Sequence, residues 1–511
     1  MLGHDSQHHN SAAYLPFLAS ALSSKGFNFS YTADLNDLRT DKLKLFDALL
    51  IYANHDEITD AQEKALLQFV RRGGGLLPIH AASYCFRNSD DYVQLVGGQF
   101  ESHETGTFTA EVIAPDHPAM LGFDPFETWD ETYVHTAHNP KRTVLMERVE
   151  GDHREPYTWV QEYGKGRMFY TALGHDERTW SNPGFHHLLE NGIRWAVGEE
   201  KAGWLDELSF PERSYSEAKI PNYERRDPAP QLQAPLSPAE SQQLIQVPPG
   251  FELQLFAAEP DIINPICMNW DEKGRLWLVE TRDYPNEINP ALHQGNDRIK
   301  ILEDTDGDGK ADKFTVFAEG LSVPTSLVFS NGGVIVAQAP YFLFLKDTDG
   351  DDKADVKEVL MDGWGTYDTH AGPSNLQYGF DNQIWGVVGY SSFNGVVGAD
   401  TLKFGQAVYR FQPDGSSMEL MGTTSNNTWG LGFSETFDVF VSTANNTHSA
   451  YLGIPHKQLK GAEGLYSRGV KKIDGHYAFH PITRNFRQVD VFGGFTAASV
   501  GFISITEHVI Y

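Results

Sequence analysis

Two rhythms of apolar residues run along this chain. In residues 1 to about 198, helical spacing alternates with short unbroken apolar runs. YLPFLASALSSKG reads as an amphipathic helix ending at Gly26, and FNFSYT as the strand after it. DALLIYAN is a buried strand. TDAQEKALLQFVRRGGG is a helix capped by Thr59 or Asp60 and stopped by three glycines, and the strand LLPI follows. RMFYTALG is a further strand and GFHHLLENGIRWAVG a closing helix. Strands alternating with helices predict an α/β domain around a parallel, doubly wound sheet.

Residues 199–246 change texture. They are rich in Pro, Glu and Ser with little periodicity, and read as a linker able to lie along one domain's surface. From residue 247 to 511 helical signals nearly vanish and a loose repeat appears: NPICMNWDEKGRLWLVE, VPTSLVFSNGGVIVAQA, GPSNLQYGFDNQIWGVVG and NTWGLGFSETFDVFVSTA. Each copy is a short apolar strand, a Gly/Asp/Asn turn and a second apolar strand. Aligning Trp277, Val336, Trp385 and Phe440 gives the spacing of propeller blades with decorated loops. TAASVGFISITEHVIY reads as a fifth copy, and no sixth is visible. The expectation is an all-β propeller that stops before its ring is complete; a distorted five-bladed ring is the alternative.

At 511 residues the chain exceeds one core, and 40% hydrophobic with 12% aromatic residues suffices for packed interiors. A formal charge of −29 argues against a general nucleic-acid or anionic-membrane partner and suits a neutral or cationic ligand. Cys85 and Cys267 stand alone, one in each half, so no disulfide framework is legible. No CxxCH occurs, which excludes c-type haem attachment within these residues. No stretch approaches a membrane span, and no signal peptide is visible. HDSQHHN looks like the loop after a first strand of which only Met1-Leu2-Gly3 remain. The expectation is that the native protein begins earlier, any signal peptide lying in that missing segment.

A doubly wound sheet presents ligands at the carboxyl ends of its strands. Histidine follows three of them: His55 in Asn54-His55-Asp56, His80, and His175 in Gly174-His175-Asp176. Gln7-His8-His9 reads as a solvated loop. In the second half, DTDGDGKAD places Asp304, Asp306, Asp308 and Asp312 at positions 1, 3, 5 and 9 of a calcium loop, with Gly309 at the sharp turn. DTDGDDKAD repeats the set as Asp347, Asp349, Asp351 and Asp355, with Glu358 at position 12. Thr315 replaces that Glu in the first copy, and Asp352 replaces the glycine in the second. Strand-like flanks make these calcium hairpins rather than EF-hands; two solvated Asp-rich turns without metal are the other reading.

HDEITDAQEKALLQFVRRGGGLLPIHAAS, LVGGQFESHE, DHPAM, WDETYV and YGKGRMFYTALGHDERTW resemble the ThuA-like (trehalose-utilisation) family across nearly all of residues 1–198. The resemblance implies a flavodoxin-like fold related to class I glutamine amidotransferases, and a sugar-metabolism context. Where those enzymes carry a nucleophilic Cys after the strand LLPI, this chain has His80, and Cys85 lies five residues on. Cysteine amidotransferase chemistry is therefore not expected. The family pattern falls on His4-Asp5, His80, His103, Asp130-Glu131 and His175-Asp176. Such a set can hold a zinc-like metal or work as acid and base, although no local motif such as HExxH is present. His80, His175 and Asp176 are the catalytic candidates, and His4, Asp5, His103, Asp130 and Glu131 the substrate-binding ones.

GRLWLVETRDYP, DRIKILEDTDGDGKAD and THAGPSNLQYGFDNQIWGVVG resemble the propellers of glucose/sorbosone dehydrogenases over about residues 247–511. More closely they resemble those of multidomain membrane-bound dehydrogenases of planctomycetes and verrucomicrobia. That resemblance implies His370 as a general base removing a sugar hydroxyl proton, PQQ as hydride acceptor, and a cytochrome c-type haem domain further on. It departs where an arginine would face the quinone: Asn426, Asn427 and Thr428 precede Gly430-Leu431. Asn426, with Asn445 and His448 of Asn445-Asn446-Thr447-His448, is a candidate for lining the channel mouth. Two readings stand: a carbohydrate-processing protein with a calcium-stabilised dehydrogenase-like propeller, or a propeller that only binds glycans or proteins. In the second, any activity belongs to a metal-dependent ThuA-like domain. The resemblance and the calcium loops imply a periplasmic or secreted location.

Overall fold

The computed structural model describes residues 1–473 apart from 5, 7–8, 213, 218–230, 286–287, 289–293, 426, 444–446, 460 and 462–468. The fifth repeat copy therefore lies outside the described residues. The chain divides into two compact units. The described part of the first falls within Met1–Ala218 and Gln231–Leu253, and that of the second within Gln254–His480.

The strands of the first unit are β1 (Leu2–Gly3), β2 (Ala48–Tyr52), β3 (Gly75–Pro78), β4 (Gln99–Ser102), β5 (Thr105–Thr109), β6 (Glu111–Val112), β7 (Glu127–Glu131), β8 (Val134–Thr136), β9 (Thr143–Glu150), β10 (His153–Tyr163) and β11 (Gly166–Thr171). Seven of them form one sheet in the order β1-β2-β3-β11-β10-β9-β6. The first four of that order run parallel. Their runs are largely apolar, as suits strands of a parallel sheet, and Leu50, Ile51, Leu76, Leu77, Met168 and Phe169 are buried there. The helix Asp60–Arg71 begins with a complete capping box, Thr59 against Gln62, worth about 1 kcal/mol. The helix Pro183–Val197 buries Phe185, Leu188, Leu189 and Ile193.

Two local readings change. FNFSYT pairs only as an isolated parallel bridge between Thr32 and Leu2. Even so, it places chain on the outer side of β1 while β2 lies on the inner side, so the strand order reverses beside β1. The far half of the sheet is antiparallel, β11 to β10 to β9 to β6. Two-residue turns, Gly151-Asp152 and Gly164-Lys165, fold β9–β10 and β10–β11 into hairpins, since a parallel crossover needs a dozen residues or more. Both glycines adopt the left-handed conformation such turns require (φ 60° and 65°).

Past the closing helix come a helix Glu199–Glu207, an antiparallel ribbon of β12 (Tyr215–Glu217) with β13 (Gln231–Gln233), and a short helix Pro238–Gln243. Gln246 anchors this stretch by donating from Nε2 to the Phe27 carbonyl at 3.0 Å.

The second unit contains four antiparallel four-stranded sheets. The first is β14 (Pro265–Trp270), β15 (Leu276–Glu280), β16 (Asp297–Glu303) and β17 (Lys313–Leu321). The second is β18 (Ser326–Ser330), β19 (Gly333–Gln338), β20 (Tyr341–Lys346) and β21 (Val356–Asp362). The third joins β22 (Pro373–Tyr378) and β23 (Ile384–Val388), past an inserted hairpin β24 (Phe393–Val397)/β25 (Asp400–Phe404), to β26 (Ala407–Phe411) and β27 (Met418–Thr423). The fourth is β28 (Thr428–Phe433), β29 (Val439–Thr443), β30 (Thr447–Leu452) and β31 (Val470–Lys472).

First strands sit side by side, β14 by β18, β18 by β22 and β22 by β28, which is the arrangement of propeller blades. Gln377 Nε2 donates to the Leu431 carbonyl at 2.9 Å across one such seam, and the Leu376 amide to Ser326 Oγ at 2.9 Å across another. Trp277, Val336, Trp385 and Phe440 all fall on the second strand of their blades. Trp277 and Phe317 of the first blade share a buried cluster with Leu327 and Val336 of the second.

Candidate functional site

The carboxyl ends of the parallel strands meet beside β1, where doubly wound sheets bind their ligands. β3, buried along its whole length, delivers His80 into a left-handed backbone conformation, φ 48°. That geometry costs a side-chain-bearing residue about 1–2 kcal/mol, so an imidazole persists here only where the surroundings over-determine it. They do. His80 Nδ1 lies 2.6 Å from the Ala172 carbonyl and donates to it, and Nε2 lies 3.2 Å from Glu131 Oε2. Tyr133 stacks on the ring at 4.1 Å, and the side chain has no exposed surface.

Glu131 ends β7. Its Oε1 lies 3.2 Å from His175 Nδ1 and 3.6 Å from His103 Nδ1. Burial pushes this carboxyl up, but the His80 hydrogen bond and the His80, His175 and His103 charges outweigh it and hold the pKa at about 2. His175 follows β11 on a loop that Asp130 fixes. Asp130, fully buried, accepts from the Gly174 amide (2.8 Å), the His175 amide (3.1 Å) and Thr179 Oγ1 (2.7 Å). Tyr52 donates its hydroxyl to the His175 carbonyl at 3.0 Å. Burial lowers the His175 pKa, and the neighbouring Glu131 opposes that shift. The contact with Glu131 is out of line for a hydrogen bond, so His175 Nδ1 is a buried ring nitrogen without a partner.

His9, 7% exposed, closes the group. Its ring centre lies 5.3 Å from that of His80 and 5.6 Å from that of His175. One donor atom each from His9, His80, Glu131 and His175 lies within 4.8 Å of all the others. Three imidazoles and a carboxylate are a donor set for a zinc-like divalent ion. The unpartnered His175 nitrogen fits this, as does the Ala172 carbonyl orienting His80 from behind.

The remaining candidates sit elsewhere. His4 bonds Asn54 Oδ1 at 2.7 Å and stacks on His55 at 4.0 Å, outside the cluster. Asp176 caps the helix Glu177–Trp180 and pairs with Arg178. His103 stands at the rim, 39% exposed, beside Phe100 and Tyr133. Cys85 is buried with its thiol on the Ala53 carbonyl, and desolvation drives its pKa far above the ordinary thiol value. Asp5 lies outside the described residues. The solvated-loop reading of Gln7-His8-His9 fails at His9, which is buried beside His80 and His175. The signal was available, because it follows the first strand as His80 and His175 follow theirs.

In the second unit both acidic nonamers join the third and fourth strands of a blade, β16 to β17 and β20 to β21. Asp304, Asp306 and Asp308 bring carboxylate oxygens within 4.8 Å of one another, as do Asp347, Asp349 and Asp355. Asp304 accepts from the Gly309 amide at 2.8 Å, the largest of several backbone bonds lowering its pKa. Asp312 closes the first loop on Thr305 Oγ1 at 2.6 Å. Asp351 pairs with Lys353, and Glu358 is exposed on β21. Asp352 adopts the φ of the glycine it replaces, 62° against 85° for Gly309, and its carboxylate takes Arg275 at 2.9 Å.

His370 is 59% exposed, with Nδ1 3.3 Å from Asp368 Oδ1 and its ring against Tyr284. Asn426, Asn445 and the side chain of His448 lie outside the described residues.

Two family models match the chain. The one described as "Domain of unknown function (DUF7133)" matches residues 237–508, more than half of the chain, and the ThuA model, "Trehalose utilisation", matches residues 2–196. Among solved structures, a ThuA-like protein from Bacteroides uniformis is similar at 24% identity over 38% of this chain and 89% of that one, TM-score 0.32. Another from Parabacteroides merdae is similar at 18% identity over 38% and 88%, TM-score 0.35. A luciferin-regenerating enzyme is similar at 10% identity over 37% and 55%, TM-score 0.26. No curated protein matches the chain.

Proposed function

The chain belongs to the DUF7133 family, with a ThuA domain ahead of that region, and we propose that it is a carbohydrate-processing protein whose chemistry sits at His9, His80, Glu131 and His175. The observation that carries this reading is the convergence of four donor atoms within 4.8 Å at the strand ends. The description of the ThuA model supports a sugar substrate.

In this reading the four side chains hold a divalent cation, which when bound would polarise a carbonyl or hydroxyl oxygen of a keto-sugar or glycoside. Glu131 stays ionised across the neutral range, because its neighbours hold its pKa at about 2. Asp130 keeps His175 in place through its two loop amides. His103, at the rim, can accept or return a substrate proton. Trp129, partly exposed and 6.0 Å from His175, carries the Arg178 guanidinium over its ring at 3.5 Å.

For the second unit we propose a calcium-clamped binding scaffold of periplasmic or secreted setting. The two Asp triplets at equivalent blade positions support it. The redox reading has one observation in its favour, the His370–Asp368 pair, which suits a general base. The residues present do not fit PQQ: no arginine stands at 426–428, and Asn427 Oδ1 accepts the Tyr390 amide at 3.3 Å.

The test is to assay the full chain, loaded with zinc or manganese, against keto-sugars and disaccharides, following product by chromatography. Turnover abolished by chelator and by His175→Ala is the expected result. Turnover that persists in chelator, or that needs added quinone, sinks the assignment to this cluster.

A further inference from the structure

A chain of net charge −29 places five cations around one cavity. The pocket, about 480 Å³, opens where the amino ends of β2, β3 and β11 meet the ends of the helices Asp60–Arg71 and Pro183–Val197. It lies in the first unit, at the end of the sheet opposite the His/Glu cluster. Lys44, Arg72, Lys165, Arg167 and Lys201 line it, together with the carboxylates of Glu199 and Glu200.

Lys201 is paired with Asp47 at 2.7 Å, and Arg167 is tied to the Trp195 carbonyl at 3.2 Å. Lys44, Arg72 and Lys165 form no ion pair among the described residues, although acidic side chains outnumber basic ones 69 to 40 along the chain. Exposed cations in so acidic a protein would find carboxylates by chance. Here three of them stay outside any ion pair, although Glu199 and Glu200 share the lining. The excess of cations over carboxylates in the lining, five to two, favours an anion there.

The other wall is apolar. Phe46 and Phe69 are half-buried, with Leu43, Ala65 and Ala196 buried around them. A cationic mouth over an aromatic floor, in a volume within the usual range for small ligands, suits a molecule with a phosphate at one end and a flat ring at the other. We propose that this pocket binds a phosphate-bearing small molecule of the mononucleotide type, its phosphate on Arg72 and Lys165 and its ring against Phe46 and Phe69. The site does not depend on the metal reading, because it shares no residue with the His/Glu cluster.

Titration calorimetry on the full chain in chelator, with AMP, adenosine and inorganic phosphate as probes, tests it. Chelator removes any binding of phosphate to a metal. AMP should bind and adenosine should not, and raised salt should weaken the affinity. Arg72→Ala and Lys165→Ala should each weaken AMP binding by about tenfold, the size of one lost charge-assisted hydrogen bond. Both residues are exposed, so the melting temperature should hold. His80→Ala should leave AMP binding unchanged. No heat with AMP, equal binding of adenosine, phosphate binding as tightly as AMP, or affinity unmoved in both variants would overturn the proposal.

Discussion

Asp130 and Asp176 look alike in the sequence, each a carboxylate beside a candidate site residue, and the structure gives them opposite work. Asp130 is sealed and accepts three hydrogen bonds that hold the His175 loop. Asp176 is drawn off by Arg178. Asp130→Ala should therefore destabilise the first unit by about 3 kcal/mol, by stranding buried donors, whereas Asp176→Ala should cost under about 1 kcal/mol, a cap and a surface pair. Urea titration of the full chain reads both, and equal losses would refute the distinction. His80 and His175 were legible because strand ends in this topology announce themselves. His9 carried the same positional signal, but an adjacent histidine pair on a loop reads as solvated, and only the packing beside His80 and His175 buries it. Burial, which separates Asp130 from Asp176, leaves no trace in local sequence.

At the scale of elements, periodicity located the helices and the first hairpin of each blade, but not strand direction. β9–β10–β11 turned antiparallel because Gly-Asp and Gly-Lys turns are too short for a crossover. The turn chemistry was written there, and the apolar pattern alone was silent on it. FNFSYT shows the converse, a strand-like run whose pairing stops at Thr32. The acidic nonamers are elements with a consequence of their own. Within each triplet, like charges converge without a cation of the chain among the clustered donors. Millimolar calcium should raise the melting temperature of the propeller transition by several degrees, as ligand linkage to the folded state requires. Asp304→Ala combined with Asp347→Ala should remove that rise. A melting curve unmoved by calcium would leave two solvated turns.

Across the whole molecule, the two units should differ in their response to acid. Burial lowers the pKa of His55, His117, His135, His138, His175 and His186, all in the first unit. For a histidine with a depressed folded pKa, the unfolded chain binds protons first. Its contribution is present above the ordinary value of 6.5 and is lost as pH falls below it. Glu131 adds stability above the ordinary carboxylate value of 4.5, lost as pH falls toward about 2. Calorimetric scans of the full chain in chelator from pH 8 to pH 5 should show the first unit's transition moving down while the propeller's moves less; a parallel shift of both would contradict this. Composition and repeats fixed the division into an α/β half and an all-β half. The interior that tunes these histidines came only with the tertiary packing.

The most direct measurement is the metal content of the 511-residue chain, purified without chelator and dialysed against zinc, by elemental mass spectrometry. Chelator-washed protein, wild type and His9→Ala/His175→Ala, should be dialysed in parallel. The expected result is one tightly held ion per chain in the wild type, resistant to dialysis against buffer, and none in the double variant. Wild-type protein that folds, melts cooperatively and retains no ion would contradict the assignment of His9, His80, Glu131 and His175 as a metal centre.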